Sequence, residues 1–349
     1  MNWVARNIPL LTGLLALVAC TNPVLREGAG SAWVSEDVPR TSRDFPAQPD
    51  DLRFLVVGDR TGGHRPGVFA GAMTRINDLR PELVMSVGDL IEGYQTEPSA
   101  LAAQWDEVQG YLEQLEMPFF YVPGNHDISN PLMQRWWRES LGRDYYHFLY
   151  KGALFIALNT EDPPTAQQRR EALAAFPPEL LEQAAGLAHL SLEEVAARLE
   201  ENPELARAAA VLGGDRATIS RAQRAWLHGV LAEHPAPRWT FVFMHKPAWR
   251  YENAAFEEIE AALHGRQHTV FAGHFHYYQH SQRQGHDYIQ MGATGGVRGL
   301  YGQGSGDMDH LLWVTLSGGE PTYSVIELDG LHGIEGAKGE HREAGGESR

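Results

Sequence analysis

Between residues 51 and about 130, short apolar runs ending in glycine alternate with longer segments whose apolar residues recur every three or four positions. LRFLVVGD predicts a strand, residues 68–79 a helix, ELVMSVGD a second strand, residues 99–116 a second helix and MPFFYVPGNHD a third strand. Strand–helix–strand repetition of this kind predicts parallel pairing in an α/β arrangement. YYHFLYKG and ALFIALNTE flank Lys151-Gly152 and predict a hairpin. An Ala-, Leu- and Glu-rich tract, residues 163–217, carries helix signals, among them Ser191 followed by acidic residues as an N-cap, and reads as a helical insertion. A helix over 220–233 leads to the strand RWTFVFMHKP, a helix over 254–263, and then HTVFAGHFH, DYIQMGATGG, LLWVTLSGG and TYSVIELDG. These late strands lie close together with turn signals between them, which predicts an antiparallel or mixed second sheet.

Both ends fall outside this pattern. Arg6 precedes IPLLTGLLALVAC, an apolar stretch shorter than the ~20 residues a membrane span needs, so residues 1–19 read as a signal peptide. Leu17-Val18-Ala19-Cys20 resembles the bacterial lipobox, where cleavage precedes a cysteine that then carries lipid. That resemblance implies an exported lipoprotein anchored at Cys20 and facing the periplasm or cell exterior. An ordinary cleaved signal peptide with an incidental cysteine is the alternative. Cys20 is the single cysteine, so no intramolecular disulfide is available. Residues 20–50 are rich in Gly, Ser, Pro and charge without apolar periodicity and read as a flexible tether; residues 331–349 read as a polar tail. The folded domain is expected over residues 51–330.

Composition changes this picture little. The 349 residues, 43% hydrophobic and 21% charged, suit a soluble globular protein of one large or two ordinary domains. A formal net charge of −16 opposes a surface that grips long nucleic acid, because such binding neutralises many phosphates with Lys and Arg. Phosphate recognition in so acidic a chain is expected to be local, at bound cations.

Candidate chemistry concentrates at strand ends: Gly58-Asp59, Gly88-Asp89, Gly124-Asn125-His126-Asp127, His245 after FVFM, and Gly273-His274-Phe275-His276. In open α/β sheets the C-terminal strand ends converge on one crevice, so residues distant in sequence can share a site. The glycines would let the backbone turn sharply there. Oxygen donors plus imidazoles suit Mn, Fe, Zn or Ni, and more donors are offered than one ion takes, which favours two divalent ions. Two ions about 3.5–4 Å apart serve phosphoester hydrolysis best. His64, His280 and His286 are weaker candidates that solvent exposure would also explain. Trp136, Trp137, Trp249 and Tyr251 could line a pocket or fill core, and Gly292–Gly296 could approach the metals or merely end a strand.

The ordered set GD, GD, GNHD, MH and GHxH resembles the calcineurin-like metallophosphoesterase superfamily over about residues 52–327. The resemblance implies a four-layered α/β/β/α sandwich of two mixed sheets. It also implies Asp59 and His276 on a first ion, Asp89 bridging both, and Asn125, His245 and His274 on a second. By the same resemblance His126 donates a proton to the leaving group and Asp127 orients that imidazole, while metal-bound hydroxide attacks phosphorus. One position departs: Thr61 stands where the family supplies a histidine two residues after the first aspartate. Water or substrate, His64 or Glu92 could fill the gap, or the first site binds weakly. Purple acid phosphatases use a tyrosine three residues after the bridging aspartate, where this chain has Glu92, so a tyrosinate site is not supported. Arg60 and Thr61 are left as candidate contacts to substrate phosphate, Arg60 through a charge-assisted pair. A non-catalytic, single-ion binder of a phosphorylated ligand is the rival reading.

Overall fold

Strands that are apolar on both faces must be covered on both sides, and the sheets of this protein are. The computed structural model describes residues 32–46, 51–298, 306–328 and 332–333. The strands in chain order are β1 (Ala32–Trp33), β2 (Leu52–Val57), β3 (Leu83–Ser86), β4 (Phe119–Phe120), β5 (Tyr146–Tyr150), β6 (Ala153–Ala157), β7 (Thr240–Phe243), β8 (His268–Ala272), β9 (Gln279–Arg283), β10 (His286–Gln290), β11 (His310–Leu316), β12 (Thr322–Glu327) and β13 (His332–Gly333). The helices are α1 (Val68–Leu79), α2 (Pro98–Leu112), α3 (Pro131–Ser140), α4 (Ala166–Ala174), α5 (Pro178–Gly186), α6 (Leu192–Glu201), α7 (Pro203–Leu212), α8 (Arg221–Glu233) and α9 (Ala254–Leu263). No helix among the described residues is long and apolar enough to cross a membrane.

One sheet runs β1-β5-β6-β7-β8-β10-β9 and the other β13-β12-β11-β2-β3-β4. Both are mixed. β2, β3 and β4 pair in parallel, and β11 and β12 extend that sheet antiparallel. The early and late halves of the chain therefore do not form separate sheets: β11 returns to lie beside β2 rather than joining its sequence neighbours β9 and β10. An aromatic core that includes Phe54, Phe155, Phe241, Phe243 and Phe271 fills the space between the sheets. α1, α2 and α3 cover one outer face and α8 and α9 the other, which makes the four-layered α/β/β/α sandwich.

Local signals explain the elements. Lys151 and Gly152 both have positive φ, as a two-residue hairpin turn between β5 and β6 requires. Ser191 and Glu194 form a reciprocal capping box at α6, and Ser220 caps α8. The insertion folds as α4–α7 around a small core of its own that includes Leu187 and Leu205. Expectation fails in the tether, where residues 32–46 are packed. β1 pairs with β5, Val38 is buried between the sheets, and Phe45 stacks on Tyr150 at 4.3 Å. Its apolar residues are too sparse to show a period, yet Val38 and Phe45 pack into the core between the sheets. β13, pairing with β12, carries the fold past residue 330. The signal peptide and Cys20 lie outside the described residues, as does most of the predicted tail.

Two buried histidines outside the strand-end cluster make stability pH-dependent. Burial pushes both His268 and His310 from the ordinary 6.5 to about 4. The unfolded chain takes up these protons near pH 6.5 while the folded chain refuses them until about pH 4, so stability falls as pH drops through that window. A urea midpoint that declines from pH 7 to pH 5, with a shallower decline in His268→Gln, is the expected result; parallel declines would deny His268 this role.

Candidate metal centre

Asp59, Asp89, Asn125, His245, His274 and His276 follow the C-terminal ends of β2, β3, β4, β7 and β8 and meet in one buried cluster. Close approach, more than turning, explains the glycines that precede them. A Cβ on Gly124 would lie 2.1 Å from Asp89 Oδ1, and one on Gly273 would lie 2.2 Å from Asp59 Oδ1. Among the glycines before motif residues, Gly88 alone needs a left-handed backbone, with φ 97°. Asp89, His274 and His276 themselves sit at positive φ, each at a cost on the order of 1 kcal/mol, and the N–H groups of Asp89 and His274 are held by the Asp127 and Asp59 carboxylates.

Each imidazole has one nitrogen committed outward. His245 Nδ1 donates to the carbonyl oxygen of Val87 at 2.9 Å, and His276 Nδ1 to that of Val297 at 2.5 Å. His274 Nε2 donates to Asp215 Oδ2 at 2.6 Å. The opposite nitrogens therefore face inward, the arrangement that outer hydrogen bonds impose on metal-binding histidines. His245 Nε2 lies 3.0 Å from Asp89 Oδ2, 3.0 Å from Asn125 Oδ1 and 3.3 Å from His274 Nδ1. His276 Nε2 lies 3.3 Å from Asp59 Oδ2.

The electrostatics call for positive charge at this place. Burial alone would lower His245, but the Asp89 carboxylate outweighs it and raises that imidazole to about 10. Burial would raise Asp89, yet His245 and His126 beside it hold its carboxyl far below the usual range. A single shared proton cannot satisfy four converging acceptors. A cation can, and a carboxylate, an amide oxygen and two imidazoles fit a divalent transition metal.

The family model of calcineurin-like phosphoesterases matches residues 52–278. This chain belongs to that family. As a calcineurin-like phosphoesterase it is a hydrolase of phosphoester bonds, from a family that typically binds divalent metals. Its fold is similar to a dimetal phosphatase from Danio rerio, at 15% identity and TM-score 0.50, covering 81% of this chain and 96% of that one. It is equally similar to GAP50, the anchor in the inner membrane complex of Plasmodium, at 15% identity and TM-score 0.50, covering 81% and 89%. No curated protein matches it.

The phosphoesterase has two unequal donor sets. Asp89, Asn125, His245 and His274 converge closely, whereas the other set offers Asp59 and His276, with Asp89 as the expected bridge. Thr61 is buried, and neither His64 nor Glu92 fills the gap it leaves. His64 Nδ1 and Glu92 Oε1 pair with each other at 3.0 Å, and Glu92 also accepts the N–H groups of Gly63 and His64.

Arg60, expected at substrate phosphate, points elsewhere. Its guanidinium is buried, paired with Glu107 and donating to the Leu90 carbonyl oxygen, so it supports α2 rather than the cleft. Thr61, fully buried beside Glu92, is likewise withdrawn from substrate. Asp127 does not orient His126. Its carboxylate accepts backbone N–H groups of Asp89, Leu90, Ile91 and Gly124, bracing the loop that carries Asp89. The Glu92 carbonyl oxygen holds His126 Nδ1 instead, at 2.8 Å. Trp136 and Trp137 pack on Trp105, and Trp249 packs on Tyr288, so these rings build core. His280 pairs with Asp287 and His286 stacks on His268, away from the centre. Gly292–Gly296 does approach, since the N–H groups of Thr294 and Gly296 donate to the Asp59 carbonyl oxygen.

Sequence reasoning missed Asp215. It ends the inserted tract as Gly214-Asp215, the same Gly-Asp pattern as at positions 59 and 89, but follows helices where no strand end was expected. Besides His274, it meets Lys246 Nζ at 3.0 Å and the Tyr251 hydroxyl at 3.2 Å. Burial opposes its charge, but the hydrogen bond and charge of His274, then Lys246, keep its carboxyl far below the usual range. Asp215→Asn is expected to weaken metal binding by about 10–100-fold while leaving the circular dichroism spectrum unchanged, as loss of an outer hydrogen-bond partner does. Metal titration followed by elemental analysis measures this, and wild-type affinity in the variant would remove Asp215 from the assembly.

Proposed function

We propose that this phosphoesterase is an exported, lipid-anchored phosphatase or phosphodiesterase of small phosphorylated compounds, with His126 as its proton donor. Asp89, Asn125, His245 and His274 would hold one divalent ion, and Asp59, His276 and Asp89 a second, weaker one. When bound, such ions activate water and neutralise phosphoryl charge. Identity among Mn, Fe, Zn and Ni is open to any borderline ion that accepts this donor set.

The observation that carries the reading is the placement of His126. With Nδ1 donating to the Glu92 carbonyl oxygen, the ring is fixed and Nε2 faces the cleft, 4.0 Å from Asp89 Oδ2. That nitrogen is free to hand a proton to a departing alkoxide oxygen. Tyr94 packs edge-on against the ring at 4.9 Å, and its hydroxyl accepts from Asn125 Nδ2. The cleft, roughly 530 Å³, is walled by the insertion through Arg169, Arg170, Val211 and Arg216. A half-covered, cation-rimmed cleft of that size favours small anionic substrates over long polymers.

The donor-poor set beside Thr61 favours the rival, a single-ion binder of a phosphorylated ligand. Activity separates the two. His126→Ala is expected to cut turnover of an aryl phosphate ester by about 10²–10⁴-fold with metal content near normal. Asp89→Ala is expected to lose both metal and activity. Loss of only one ion from the wild-type count on Asp89→Ala, with no turnover by the wild type over a broad phosphoester panel, would favour the binder.

The anchor rests on Leu17–Cys20. Cys20→Ala is expected to abolish labelling by radioactive palmitate and release the protein from the membrane fraction; persistent labelling would refute lipidation there.

A further inference from the structure

A second cluster of metal-binding side chains lies on the outer face of the seven-stranded sheet, where none of its members lines the cleft. His147 projects from β5 toward α8, Glu233 is the last residue of α8, and His234 is its C-cap. One ligand atom from each of the three lies within 4.8 Å of the others. The two imidazole rings are 5.3 Å apart, with Trp33 packed over both and Trp226 beside His147.

The hydrogen bonding of this cluster is incomplete. The Nε2 atoms of both His147 and His234 are buried from solvent and have no hydrogen-bond partner. Buried polar atoms are rarely left so, and an ion is one of the standard explanations for those that are. Two such nitrogens in contacting rings, with a carboxylate in reach, make a stronger case than either alone. Burial lowers both imidazoles, that of His147 to about 4, which favours the neutral form that binds metal. Arg266 donates to the carbonyl oxygens of Leu231 and His234 at the end of α8, so the negative charge that favours a cation over an anion comes from the Glu233 carboxylate.

We propose that His147, Glu233 and His234 form a second, independent site for a zinc-class divalent ion. Two imidazoles and one carboxylate suit Zn, Co, Ni or Cu rather than Mg or Ca, and three protein ligands leave a position for water. The bound ion joins the end of α8 to β5 beneath Trp33, and so ties the N-terminal segment that carries β1 to the sheet. Its role is to fasten this edge of the fold, apart from hydrolysis.

The test is ion counting on the full-length chain, stripped of metal and dialysed against Zn²⁺. His234→Gln is expected to bind one ion fewer than wild type while hydrolysing an aryl phosphate ester, with its usual metal supplied, at the wild-type rate. Glu233→Gln, at an exposed helix end where folding is not at risk, is expected to weaken that ion by about tenfold or more. In an Asp89→Asn, His245→Gln background one Zn²⁺ should remain, vanish on adding His234→Gln, and give a visible Co²⁺ absorption band when cobalt replaces it. Equal ion counts with and without His234→Gln, or no ion retained in the cleft-disabled background, would overturn the site.

Discussion

Nε2 of His245 and Nδ1 of His274 face each other across 3.3 Å, with the Asp89 carboxylate and the Asn125 amide oxygen beside them. Each ring's other nitrogen is committed to Val87 or Asp215, so neither can turn to relieve the other. Such a centre calls for a cation, and much of the surrounding architecture serves to hold it in that state. Asp127 fastens the Asp89 loop by backbone hydrogen bonds, and glycines at 124 and 273 clear space for the two carboxylates.

The inserted helices belong to this assembly. Their exit residue, Asp215, bonds the outward nitrogen of His274, while Lys246 joins Asp215 to Glu161 on the sandwich. Docking of α4–α7 and orientation of a metal-facing imidazole are thereby linked. The same helices supply Arg169, Arg170 and Arg216 to the cleft wall, so an element added to the fold shapes both the centre and its access. Arg170 lies over the Tyr94 ring at 4.4 Å, and Tyr94 in turn meets Asn125 and His126, which extends that influence to the proposed proton donor.

The two donor sets differ because the loop after Asp59 was built for another purpose. Arg60 reaches Glu107 on α2, Thr61 is buried, and Gly62 packs against His276, where a Cβ would lie 2.8 Å from its ring. This loop braces helix and cleft floor and offers no imidazole. An ion bound there would rest on fewer protein donors than its neighbour, and would be correspondingly easier to remove.

By itself the sequence determined the family and most of the elements, though not α3 or β9: apolar runs ending in Gly-Asp, GNHD and GHFH mark strand ends, and α1 and α9 fall at the predicted residues 68–79 and 254–263. Those signals are local, so a linear reading captures them. Tertiary structure alone decided that β11 returns to β2, that residues 32–46 cover sheet edges, and that Arg60 turns away from the cleft toward α2. It also assigned the support of His126 to a backbone carbonyl, which no side-chain motif can announce, and brought Asp215 to His274 across 59 residues of sequence. Partners of that kind are chosen by how layers pack, and packing is a property of the whole chain.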